Sequence, residues 1–181
     1  MVLASGPAGL TVAAVADLLG APSGSIYYRF SGRDALAASL WLRALRRFQA
    51  GFISELDNPD PLEAAVAAAR HVVHWSGQHL DDARLLLLFR SSDLVRESWP
   101  LDLRDENLQL QTQLKQGVKR LQASLGAHDR DSRHRVRFAV IDVPYAAVRP
   151  SLIAGRRPAR SVEDLVSETV RQVLNPLIHR T

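Results

Sequence analysis

Apolar positions recur at helical spacing along the whole chain, and no stretch alternates with the period of two that a half-buried strand requires. Val12, Val15, Ala16 and Leu19 stand at i, i+3, i+4 and i+7 and define one helical face. Thr11 precedes that face as an N-cap candidate, and Gly20 follows it, where a residue free to take positive φ ends a helix. Pro22 interrupts the helix and Ser23 can cap the next one. Ile26 and Phe30, four apart, can pack this second, short helix onto the first. Ser31-Gly32-Arg33-Asp34 then predicts a capping box. It opens a long helix through Leu36, Leu40, Leu45, Phe48 and Phe52 that Asn58-Pro59 ends. Asp60-Pro61-Leu62-Glu63 predicts the next start, with proline at the first helical position, in a helix running to Gln78. A further helix is expected from Asp81 or Asp82 through Leu85–Phe89 to Leu94, followed by a loop at Trp99-Pro100. A polar helix from Asp105 to Leu125 should turn Leu108, Leu110, Leu114, Val118, Leu121 and Leu125 inward and stop at Gly126. Ser132 to Ala154 reads as a helix that Pro144 and Pro150 kink or split. Ser161-Val162-Glu163-Asp164 caps a last helix bearing Leu165, Val166, Val170, Val173 and Leu174. The expected fold class is all-α.

Burying Ile26 and Phe30 leaves Ser23, Gly24, Ser25, Tyr28 and Arg29 outward on the second helix. A rigid short helix offering serines, a tyrosine and an arginine after a glycine corner has the form of a probe for the major groove of DNA. Ala16 suits the steep crossing because its side chain is short.

These residues carry a family resemblance. Gly9-Leu10-Thr11, the small Ala16 before Gly20, Ile26-Tyr27-Tyr28-Arg29-Phe30, and then Arg33 and Leu36 match in order and spacing. The segment resembles the DNA-binding region of the tetracycline-repressor (TetR) family. The resemblance implies an N-terminal helix-turn-helix DNA-binding domain at 1–47 and a C-terminal helical ligand-binding and dimerisation domain at 48–181. It implies phosphate contacts from Thr11, Tyr28, Arg29 and Arg33, which fix register, and base-edge contacts from Ser23, Gly24 and Ser25. For each serine a plain cap or turn role stands beside the base-reading one, and for each arginine a solvated surface role. Two features depart from the family. Only Met1–Ser5 precede Gly6, so either the family's first helix is expected to be truncated or the native start lies upstream, and arginines stand at 29 and 33 where a histidine and a lysine are common. Both arginines keep a phosphate donor and make it permanently charged.

Charge and composition frame that segment. The net charge is +4, and residues 1–47 hold five arginines against Asp17 and Asp34, so most of the surplus lies in the quarter with the motif. That favours nucleic acid near this end, although a surplus this small also falls within ordinary scatter. A hydrophobic fraction of 46% suffices for a core, and there is no cysteine, which excludes disulfides and thiol chemistry. No apolar run is long enough for a membrane span and no secretory signal is visible, so a cytoplasmic protein without membrane contact is expected.

The expected partners are a double-stranded DNA operator, a small and largely apolar effector, and a second copy of the chain. The resemblance implies a homodimer built from the last two long helices. Val136, Val140 and Val143 with Val166, Val170 and Val173 form stripes that would serve as the interface or as intramolecular core. A two-fold dimer would set two probing helices about 34 Å apart on a near-palindromic site. For the effector, His71, His74 and Trp75 on one helix, together with Phe89, Trp99, Phe138 and Tyr145, are the candidate pocket walls, and each aromatic also reads as core. His71 and His74 lack a second ligand pair, so neither a metal nor a cofactor is expected. No catalytic triad or phosphate loop is visible. The expected function is a ligand-responsive transcriptional regulator of repressor type and not an enzyme. A dimer of the same fold that has lost DNA binding, and an enzyme using His71 or His74 as base, remain as alternatives.

Overall fold

The computed structural model describes residues 32–88 and 99–178. The segment at 11–30 expected to form a helix-turn-helix, with Thr11, Ser23, Gly24, Ser25, Tyr28 and Arg29, lies outside the described residues, as does Phe89. Among the described residues the chain is helical, with no strand. The elements are α1 (Arg33–Glu55), α2 (Pro61–Gln78), α3 (Leu80–Leu88), α4 (Leu101–Ser124) and α5 (Arg130–Arg137). One π-helical turn (Phe138–Asp142), α6 (Val143–Ile153) and α7 (Ser161–Ile178) follow.

Local chemistry sets most boundaries. Asp60 caps α2, its carboxylate accepting from the Leu62 and Glu63 amides at 2.8 and 3.1 Å ahead of a proline-started first turn. Gly126 ends α4 at φ 66°, in the left-handed region. Other boundaries differ from expectation. The N-cap of α1 is Gly32, which has no side chain to cap with, one residue later than the expected Ser31. Helix α4 starts at Leu101 rather than Asp105, directly after Pro100. Asp129, not Ser132, caps α5, and Ser132 instead sits buried and donates to the Asp129 carboxylate at 2.8 Å. Helix α1 runs unbroken past residue 47, so the division between the expected domains falls inside it.

The prolines do not split the helix that follows. The Val143 amide bonds back to the Phe138 carbonyl, five residues away, and this wide turn precedes Pro144. In a regular helix the Pro144 ring would meet the carbonyl four residues before it; widening the turn relieves that clash and keeps the helical direction. Pro144 is fully buried.

Helix α2 sits at the centre, packed against α1, α7, α6 and α3. Its Ala64, Ala65, Ala68 and Ala69 are fully buried, and such short side chains let neighbouring helices approach closely. They join Phe52, Val73, Trp75, Leu121, Val136, Val140, Val148, Val166, Val170 and Leu174 in one main core. A second cluster gathers Ala38, Trp41, Leu42, Trp99 and Leu110 between α1 and α4.

Leu108, expected inside, is outside, and so is Leu165 on the last helix. Leu108 is 63% exposed because Leu110, two positions on and so on the opposite side of the helix, is the one buried. Leu165 is 60% exposed because Val166, Val170, Leu174 and Leu177 take the inner face.

Candidate functional site

The described residues proposed as effector walls, His71, His74, Trp75, Trp99, Phe138 and Tyr145, do not converge. On α2, Trp75 is buried in the main core, edge-on to Phe48 with ring centroids 5.2 Å apart. Trp99 fills the second cluster instead. Phe138 and Tyr145 lie on the outside of the chain, 43% and 46% exposed. His71 and His74 share a concavity of about 270 Å³ with Glu55, Ala67, Arg70 and Glu163, a charged recess rather than an apolar pocket. Helical spacing put these side chains on the right elements but could not say which face meets which neighbour.

Within that recess His71 is the more constrained histidine. Its Nε2 lies 3.1 Å from the Phe48 carbonyl oxygen, and its ring packs at a tilt against that of Phe48, centroids 5.6 Å apart. Gly51 makes this possible, since a Cβ there would land on the imidazole. Gly51→Ala should therefore destabilise the protein by about 1–3 kcal/mol despite alanine's better helix propensity, a difference that thermal and urea unfolding would measure. Burial pushes the His71 imidazole below its ordinary value of 6.5, against the opposing pull of the Phe48 carbonyl and Glu55. The folded state thus binds this proton less tightly than the unfolded state. The contribution is complete above 6.5 and is lost as pH falls through the lowered value. Unfolding experiments from pH 7.5 downward should show stability declining below about 6.5, with a shallower decline in His71→Gln. His74 faces Glu163 at 3.4 Å and Gln78 at 2.8 Å. No group of three or more metal-binding side chains among the described residues is arranged to hold an ion.

Of the two roles open to the valine stripes, dimer face or intramolecular core, they take the second within the described residues. Val136, Val140, Val166 and Val170 are buried inside the single chain, and Val143 and Val173 are half-buried. A 3.6-residue stripe marks a buried face without saying what buries it. The same two helical stretches carry apolar residues left uncovered on the outside: Phe138, Tyr145, Ile153 and Leu165. Residues 127–160 also hold eight arginines against Asp129, Asp131 and Asp142, a larger positive surplus than that of residues 1–47. The charge of this chain is therefore not concentrated at its N-terminal end.

Of the DNA-contact candidates, Arg33 is described; it opens α1, exposed. From there α1 extends for 23 residues, about 34 Å, into the body. Salt bridges tie it to its neighbours: Arg46 to Glu106 of α4, and Arg47 to Asp82 of α3 at 3.0 Å. Beside the Arg46 pair, a groove of about 380 Å³ between α1 and α4 contains Gln49, whose buried Oε1 has no hydrogen-bond partner. Sequence reading missed this groove; the only signal was a polar residue, Gln49, next to the apolar Phe48 on a core helix. No helix among the described residues is long and apolar enough to cross a membrane.

No family model matches the sequence, and no curated protein matches it. Among solved structures, the crystal structure of the TetR family transcriptional regulator PfmR from Thermus thermophilus resembles it with a TM-score of 0.70. The match covers 96% of this chain and 92% of that chain at 14% identity, a likeness of backbone architecture. The chain thus has the all-α fold of a TetR-family regulator.

Proposed function

We propose that this chain is a ligand-responsive, DNA-binding transcriptional regulator, a repressor that binds a palindromic operator as a homodimer in the cytoplasm. One conjunction carries the reading: the Thr11–Phe30 pattern leads directly into a long helix anchored in a TetR-like body. In this reading residues 1–47 form the head and 48–181 the body, joined by α1. Thr11, Tyr28, Arg29 and Arg33 hold phosphates, while Ser23, Gly24 and Ser25 face base edges.

The dimer uses the outer faces of the π-turn, α6 and α7, where Phe138, Tyr145 and Leu165 are uncovered. Exposed Asp164 and Glu168 on α7 give the arginine-rich α5–α6 stretch of a second copy an opposite charge to meet. The effector acts by population shift: it favours a body arrangement in which α1 tilts, so the two heads no longer match the groove spacing. The exposed ion pairs on α1 suit such a shift, because pairs of this kind are weak and readily exchanged.

The phosphate roles predict a specific loss. An Arg29→Ala, Arg33→Ala protein should bind a promoter duplex more weakly than wild type. Its plot of log affinity against log salt should be shallower by about four, one per lost contact, because each chain of the dimer loses two. Anisotropy titrations at several salt concentrations test this, and equal affinity and slope for both proteins would remove the phosphate roles.

A further inference from the structure

His71 joins α2 to α1 through a slot left by a missing side chain. Its ring lies over Gly51, where a Cβ would come within 3.0 Å of the Cε1, Nε2 and Nδ1 atoms. Its Nε2 lies 3.1 Å from the Phe48 carbonyl oxygen, which can only accept, so the proton of the neutral ring sits on Nε2 and the lone pair on Nδ1. The Phe48 ring it packs against is itself edge-on to Trp75. One helical turn beyond Gly51, on the same side of α1, Glu55 stands in the recess of about 270 Å³. The charged and titratable groups facing His71 are Glu55 from α1, Arg70, His74 and His79 from α2, and Glu163 from α7. Arg47, one turn earlier on α1, is occupied by Asp82 of α3 at 3.0 Å. Glu163 already meets Arg70 at 3.7 Å and His74 at 3.4 Å, whereas Glu55 is exposed and has no ion-pair partner among the described residues.

We infer that His71 is a proton-operated latch on the α1–α2 seam: neutral, it is locked in the Gly51 slot, and protonated, it swings into the recess beside Glu55 and unpins the two helices. The slot suits the neutral ring alone. A protonated ring carries a second N–H at Nδ1, for which the slot offers no protein acceptor. Half-buried against Phe48 and the α1 backbone, the cation also forgoes part of its hydration. Burial accordingly holds the imidazole below its ordinary range, outweighing the Phe48 carbonyl and Glu55. In the recess the same cation regains water and comes within reach of a carboxylate that no other cation holds. The vacated slot then lets α1 settle closer to α2, because close-packed interiors do not keep a gap the size of a ring. Such a shift would bias the head-bearing helix. That consequence rests on the proposed regulator function, whereas the latch itself does not.

The test uses the full chain without DNA, so its outcome is independent of operator binding. Heteronuclear NMR follows three signals as pH falls from about 7.5: the His71 ring nitrogens, the Phe48 and Gly51 amides, and the nuclear Overhauser contacts between the His71 ring and the Gly51 α-protons. At the start the ring should be the Nε2–H tautomer with strong contacts to Gly51. As it titrates, with a midpoint below 6.5, these contacts should disappear and both amides should shift with the same midpoint, at unchanged helical circular dichroism. In Glu55→Gln the midpoint should fall further, because the carboxylate that receives the cation is gone. In Gly51→Ala, which fills the slot, the Phe48 amide should not follow the ring and the midpoint should return toward 6.5. His71→Gln, which keeps a side chain in the slot but cannot titrate, should leave both amides insensitive over the same range. Ring contacts that persist through the full titration of His71, amides that do not follow it, or the same amide shifts in His71→Gln would each overturn the latch.

Discussion

Phe52→Ala is expected to lower the free energy of unfolding by about 3–5 kcal/mol. Phe52 is 1% exposed, on α1, and packs into the main core with its ring centroid 6.0 Å from that of Phe48. Its removal leaves a cavity lined by side chains of α1, α2 and their neighbours, which relax only partly toward it. A loss of that size takes a large share of the roughly 5–15 kcal/mol typical of a folded domain. Urea denaturation should show a lower midpoint with an unchanged slope, while Leu108→Ala, on the surface of α4, should change stability by less than about 0.5 kcal/mol. The result bears on the proposed function because Phe52 fastens the helix that, in that proposal, joins the head to the body. A loss below about 1 kcal/mol would mean that α1 is not held in the core as described.

The second large effect concerns assembly. Phe138→Glu with Tyr145→Glu is expected to convert a dimer into a monomer. Buried at an interface, each aromatic ring would contribute about 1.5–3 kcal/mol, and a glutamate there instead brings an unpaired charge out of water. Both positions are more than two-fifths exposed in the single chain, so the fold should survive and the helical circular-dichroism signal should be retained. Sedimentation velocity at micromolar concentration distinguishes the outcomes. A wild-type monomer, or a double variant that remains dimeric, would place the interface elsewhere or remove it.

These predictions separate what was legible in the sequence from what was not. The all-α class, the proline-started α2 and the stop at Gly126 were readable because caps, prolines and positive-φ glycines act locally. The orientation of faces was not. Phe138 and Tyr145 read as pocket walls or core and lie outside, whereas Val136 and Val170 read as interface or intramolecular core and lie inside, since periodicity shows a buried stripe but not its partner. Leu108 and Leu110 could not both face inward on one helix, and only packing against Trp99 and Trp41 decides between them. The π-turn before Pro144 was likewise invisible, because its cause is a clash with a carbonyl four residues earlier that the chain resolves by widening rather than breaking. Gln49 gave almost no signal, because one polar residue on a core helix becomes notable only when its neighbours leave its oxygen unpartnered. The DNA-facing candidates, Arg33 included, rest on their motif alone.

The most direct test of the account is a binding titration of the wild-type protein with the duplex upstream of its own coding sequence, at moderate salt and against a scrambled duplex of equal length. Saturable binding is expected at two chains per site, at least about a thousandfold tighter than to the scrambled duplex. Equal, weak binding to both duplexes would contradict it and leave a TetR-like body that does not regulate through this DNA.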